Sequence, residues 1–199
     1  MGKCVDAESL YADIEFCQGQ KSLPGVRDYA YGIAKKDIVT WPTITREGKS
    51  DLGTIPVLTG AFTLAADKTW HRLDLIPDQS DIKTESQGNY GAKTFKVTAT
   101  LVCPGTEEDI TGYIAEANND KMVYLVPQRN GKFRMIGSEG FTPTLTLSQD
   151  TGKSATDANQ TTITAEVTDE YPAPFFTGTI KTSAGDISGA TGKPVLTGG

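Results

Sequence analysis

The stretch YGAKTFKVTATLV, residues 90–102, decides the fold class. Phe95, Val97, Ala99 and Leu101 alternate with Lys96, Thr98 and Thr100, so in an extended chain one face is apolar and the other is charged or hydroxylated. That period of two predicts a strand with one face on a core. Residues 160–168 (QTTITAEVT) repeat the pattern, with Ile163, Ala165 and Val167 against Thr162, Thr164, Glu166 and Thr168. Between them, Lys121–Pro127 reads as a buried strand and Arg129-Asn130-Gly131 as a hairpin turn into Lys132–Ile136.

One segment breaks the period. Thr106–Asn118 places Ile110, Tyr113, Ile114 and Ala117 on a single stripe, and Thr106 with Asp109 fits a capping box. Acids in the first turn suit the helix dipole, so a single helix lying on a sheet is expected. Shorter strands are expected around Tyr29–Ile33, Asp37–Pro42, Thr54–Leu64 and Trp70–Ile76. Residues 46–53, 78–89 and 148–159 are polar and read as loops. Tyr171–Phe176 holds too much proline for a central strand, with an edge strand expected at Thr177–Ile180.

The 21 glycines and 10 prolines among 199 residues predict many turns, and 37% hydrophobic residues suffice for one core. The fold expected is therefore mainly β, a sandwich or barrel with one flanking helix over about 106–119. Residues 1–24 are expected to form an extended arm (a short helix within 1–22 is the alternative), 25–180 the β domain, and 181–199 a flexible tail poor in large apolar groups.

Catalytic and cofactor chemistry find little support. His71 is the only histidine, and no acid or nucleophile is spaced around it as in a triad. Cys4, Cys17 and Cys103 show no CxxC spacing; a Cys4–Cys17 disulfide or a scattered zinc set with His71 is less favoured than free thiols. Asp74, Asp78 and Asp81 miss the spacing of a calcium loop, and the glycines form no phosphate-binding motif. No enzyme, metal or cofactor is expected. A net charge of −6 disfavours tight binding to nucleic acid or anionic lipid. The N-terminal residues have no apolar signal region, and no stretch approaches the length of a membrane span.

The order of these elements resembles the tail tube proteins of long-tailed bacteriophages; the resemblance rests on Lys93–Leu101, Thr106–Asn118, Met122–Ile136 and Thr161–Val167. It implies a virion structural protein assembled in the host cytoplasm. In that family hexameric rings stack into a hollow tube through which genomic DNA passes without specific binding, in contact with other virion proteins and with no membrane. No catalytic residue carries over. The segments expected at subunit contacts are the early loop with Arg46, Lys49 and Asp51, the polar segment with Asp78 and Asp81, and the termini. Three aromatic residues beside prolines or other aromatics, Trp41, Tyr171 and Phe175, are further candidates for such contacts. Other virion β-proteins, such as a head decoration or tail-terminator ring, are alternatives, as is a glycan-binding β-sandwich using Trp41, Trp70 or the tyrosines.

Overall fold

The computed structural model describes residues 11–45 and 51–195. Its strands are β1 (Tyr29–Ala34), β2 (Ile38–Thr40), β3 (Val57–Leu58), β4 (Thr63–Leu64), β5 (His71–Asp74), β6 (Asp81–Gln87), β7 (Thr94–Pro104), β8 (Met122–Pro127), β9 (Phe133–Ile136), β10 (Thr144–Asp150), β11 (Gln160–Asp169), β12 (Phe175–Phe176), β13 (Thr179–Thr182) and β14 (Gly185–Ser188). The helix α1 spans Glu108–Ala117. A six-stranded sheet has the order β3-β12-β9-β8-β1-β5, and a four-stranded sheet the order β10-β11-β7-β6.

The two sheets enclose one core. Val97, Ala99 and Leu101 of β7 and Ile163, Ala165 and Val167 of β11 meet Ala30, Tyr124, Val126 and Ile136 from the six-stranded sheet. The apolar stripe of α1 closes the flank, with Ile110, Tyr113 and Ile114 packed against this core and Ala117 buried in it. The alternation read from residues 95–101 and 162–168 thus faces inward and outward as expected. A second core covers the opposite face of the six-stranded sheet, where Tyr31, Ile33, Val123, Leu125 and Phe133 meet Trp70, Phe176 and Ile180. The small β2–β4 and β13–β14 pairs complete that side. Both faces of β8 are therefore covered and all six of its residues are buried, which is why it reads as a continuous apolar run.

At the hairpin, Asn130-Gly131 serves a three-residue loop. Gly131 N–H donates to the Gln128 carbonyl (2.8 Å), Gln128 N–H to that of Lys132 (2.9 Å), and Gly131 takes the positive φ of +92°. The resulting pairing sets Tyr124 opposite Ile136 and Pro127 opposite Phe133.

Several local expectations change. The helix is capped one residue later than the capping box requires: Glu107 is the N-cap and makes no side-chain cap bond, while the Thr106 carbonyl accepts from Thr111 Oγ1 at 3.1 Å. Residues 11–22 contain no helix. They form an exposed strand-free arm with one turn, closed by Gln20 N–H to Cys17 O at 3.0 Å, where Gly19 takes a positive φ of +86°. Phe175 and Phe176, despite the flanking prolines, lie inside the six-stranded sheet between β9 and β3. Pro172 and Pro174 stay outside those two residues, and the loop before them is fixed by Arg134. Its Nη1 donates to the carbonyls of Pro172 (3.0 Å) and Ala173 (2.9 Å), and its guanidinium lies 3.8 Å from the Phe175 ring centre.

The expected flexible tail is ordered over its described part. β13 starts at Thr179 and pairs with β14, Ile180 is fully buried, and Gly189 N–H donates to Gly178 O (2.8 Å) while Phe133 N–H donates to Gly189 O (3.2 Å). Small residues allow this close backbone approach, so scarcity of large side chains here reflects packing and not disorder. The expected edge strand at Thr177–Ile180 is thereby shifted into a hairpin.

Candidate assembly surface

The four-stranded sheet presents its outer face through alternate residues of four strands. The pairings place Thr144, Thr146, Ser148 and Asp150 of β10, Thr162, Thr164, Glu166 and Thr168 of β11, Lys96, Thr98 and Thr100 of β7, and Asp81, Lys83, Glu85 and Gln87 of β6 on that face. No aromatic side chain is among them. The ionised groups are two lysines against Asp81, Glu85, Asp150 and Glu166, a surplus of two negative charges. Side-chain bonds stiffen the face: Lys96 Nζ lies 2.7 Å from Glu166, and Gln87 Nε2 donates to Thr168 Oγ1 at 2.9 Å.

Among the described residues, both outer strands of this sheet have a partner on one side only. The polar composition of residues 78–89 predicts a loop where β6 forms. Seven successive pairings with β7, from Asp81 opposite Thr100 to Gln87 opposite Thr94, override that composition. The signal that could have identified it is the weak alternation of Ile82, Thr84 and Ser86 with Asp81, Lys83 and Glu85. Its start is pinned by buried Ser80, whose Oγ donates to Ile76 O (2.9 Å) and accepts from Val102 N–H (3.0 Å). At the other edge, β10 carries Leu145 and Leu147, half-buried on the core side. Thr111, Ile114 and Ala115 of α1 and Asn118 at its C-cap line an open groove beside Leu147.

The residues suspected at subunit contacts fall in separate places. Arg46 and Lys49 lie outside the described residues. Asp51 caps a short 3-10 turn, its Oδ1 accepting from Gly53 N–H at 2.8 Å. That turn leads to β3, which pairs with Phe175, so Asp51 and Phe175 belong to one margin of the six-stranded sheet. Tyr171 is half-buried in the loop before it, with its N–H donating to Asp169 Oδ1 at 3.3 Å. Asp78 is exposed and binds Arg129 at 2.6 Å, whereas Asp81 opens β6 and sits 3.3 Å from Lys83.

Trp41 is half-buried and meets Phe62 edge-on, at 5.7 Å between ring centres. Phe62 in turn contacts Trp70 (5.1 Å) and Phe176 (4.9 Å). With Trp70 only 1% exposed, this aromatic cluster is core packing, and Trp70 has no face free to stack on a sugar.

The titratable groups also look structural. Burial pushes the Cys103 thiol up to about 11, which keeps it protonated and poorly nucleophilic near neutral pH. Tyr113 is raised to about 12 and Tyr124 is raised as well, in both cases chiefly by burial; their hydroxyls lie 3.5 Å apart beneath α1. His71 is exposed on β5, and Cys17 is an exposed free thiol in the arm. Among the described residues no group of three or more His, Cys, Asp or Glu is placed to hold a metal, and no helix is long and apolar enough to cross a membrane.

Comparison with protein-family models, with curated proteins and with solved structures finds no match for this chain.

Proposed function

We propose that this chain is the repeating subunit of a virion tail tube. Copies stand side by side in a ring, hexameric as in the family it resembles; rings stack, and the outer face of the four-stranded sheet lines the lumen through which genomic DNA passes.

The composition of that face carries the reading. Non-specific DNA binding comes mainly from cations that displace counterions at phosphates, and each unopposed Lys or Arg would add to a cumulative drag. Here two lysines are outnumbered by four carboxylates, and Lys96 is paired with Glu166. Threonine hydroxyls keep the surface wetted without offering an aromatic platform on which bases could stack. Such a lining lets a polyanion slide.

An exposed arm also suits an assembling subunit. Ile14 (92% exposed) and Phe16 (73%) leave apolar area to be covered by a neighbour.

Negative-stain electron microscopy of the purified protein, with its mass measured by light scattering, tests the reading. Rings or tubes with a stain-filled lumen are expected. A protein that stays monomeric over a wide concentration range refutes it.

A further inference from the structure

We infer that Asn130-Gly131, at the tip of the β8–β9 hairpin, is a site of spontaneous covalent modification, and that residues 189–194, after β14, lie against it as a strap that holds the reaction off. The inference is independent of the assembly reading.

The chemistry follows from the dipeptide. Of Asn89, Asn118, Asn119, Asn130 and Asn159, Asn130 alone is followed by glycine. A backbone nitrogen can attack the side-chain carbonyl carbon of the asparagine before it, and a side chain on the attacking residue obstructs the approach; glycine has none. Here the Gly131 nitrogen bonds to Asn130 Cγ and gives its proton to solvent. The Cγ–Nδ2 bond breaks, and ammonia leaves after taking up a proton. Water then opens the five-membered imide at one or other carbonyl, leaving aspartate or isoaspartate at position 130. Water is the one co-reactant. The isoaspartate product lengthens the backbone of the hairpin loop by one methylene, so the change is not undone by refolding.

The fold presents the electrophile and restrains the nucleophile. Asn130 is exposed, and its Oδ1 accepts from Lys132 N–H at 3.0 Å, a bond that draws electron density from Cγ. Gly131 is buried beside it, with its N–H donating to Gln128 O at 2.8 Å. Ring closure turns the peptide plane between the two residues about the Asn130 Cα–C bond, which breaks the bond to Gln128 and moves Gly131. The space it would move through is occupied. A Cβ built on Gly131 would stand 2.5 Å from Thr191 O and 2.7 Å from Arg27 Nη2.

Thr191 belongs to the strap. Residues 189–194 turn back on β14, with Gly192 N–H donating to Ser188 O at 2.7 Å and Ser188 N–H to Lys193 O at 2.9 Å. At the start of the strap, Gly189 O accepts from Phe133 N–H at 3.2 Å. Arg27 is the latch. A Cβ on Gly192 would meet its Nη1 at 2.7 Å, as one on Gly131 meets its Nη2, so the guanidinium is wedged between the two glycines; Nη1 also reaches the Tyr29 hydroxyl at 3.4 Å. Ala190, Thr191, Lys193 and Pro194 are exposed, and the strap buries no large apolar side chain. A segment held in this way opens locally at lower cost than the whole fold. Opening removes Thr191 from Gly131 and frees the turn to close the imide.

Peptide mapping by mass spectrometry tests this on the full-length protein in mildly alkaline buffer, reading the aspartate and isoaspartate fraction at position 130 over time. The folded protein is expected to react at least about tenfold more slowly than the same chain unfolded in urea, since reaction waits on a local opening. The rate should begin to rise at urea concentrations below the global transition, while circular dichroism still reports the native sheets. Arg27→Ala and Gly192→Ala should each accelerate the folded protein severalfold. Equal rates in folded and unfolded chains overturn the protection, and a chain left unmodified in urea overturns the site. A rate that rises only with the global transition, or folded variants that react no faster than the unsubstituted protein, overturns the strap as guard. The urea series needs no substitution, so it decides the matter even where a variant fails to fold.

Discussion

Gly32 of β1 holds the helix in place by having no side chain, and replacing it with alanine tests how α1 is seated over the sheets. A Cβ at Gly32 would stand 2.7 Å from the Tyr113 hydroxyl on α1 and 3.0 Å and 3.2 Å from Cε1 and Cδ1 of Tyr124 on β8. Tyr124 is fully buried and has no room to turn, so Tyr113 and with it α1 must yield. Overpacking of this kind costs about 1–3 kcal/mol. Tyr113→Phe removes the closest obstacle; alone it should cost about 0.5–1.5 kcal/mol, since its contact with the Tyr124 hydroxyl is long at 3.5 Å. The double variant should be less destabilised than the two single losses together by about 1 kcal/mol, because the clash is removed with the hydroxyl. In thermal melts a difference of that size corresponds to roughly 2–4 °C for a chain of this length. Urea denaturation of the four proteins measures the coupling. Additivity within about 0.5 kcal/mol would mean that the tyrosine hydroxyl is not what excludes a side chain at Gly32.

Alkaline pH should unfold the protein through its buried acids. Tyr113 and Cys103 bind their protons more tightly when folded, with values of about 12 and about 11, so their contribution is complete below the unfolded values near 9 and 10 and is lost as pH rises from there towards 12. Stability measured by urea melts should be flat from pH 7 to 9 by this mechanism and fall above it; Tyr113→Phe should shallow the fall, and an unchanged slope would remove Tyr113 from the account. Arg134→Lys should destabilise by about 1–3 kcal/mol, since an ammonium cannot both lie flat on Phe175 and serve the carbonyls of Pro172 and Ala173. A loss equal to that of a surface Lys/Arg exchange, under about 0.5 kcal/mol, would contradict this. Glu85→Lys with Glu166→Lys turns the outer sheet face from a surplus of two negative charges to a surplus of two positive ones. Gel-shift titration should then show salt-sensitive DNA retention that the unsubstituted protein lacks; no gain at low salt would count against that face as the lumen lining.

The elements legible from residue pattern alone are those whose side chains segregate by period. β7, β11, the β8–β9 hairpin and α1 are legible because each must bury one face or stripe and its residues repeat at the spacing that face requires. The outward threonines of β7 and β11 were readable for the same reason, and with them much of the candidate surface. Other features depended on neighbours. β6 is a strand because β7 offers it seven consecutive partners, and Phe175-Phe176 enters a sheet because β9 and β3 stand on either side of it. The described part of the segment after Ile180 is ordered because Gly178 and Gly189 permit backbones to touch, a property that composition presents as looseness. Which strands keep an open edge, and how far those edges are staggered, is settled by long-range packing. Both follow from the total order of strands in a sheet, and strand order is fixed by contacts between residues far apart in the chain, of which no local pattern of side chains carries a record.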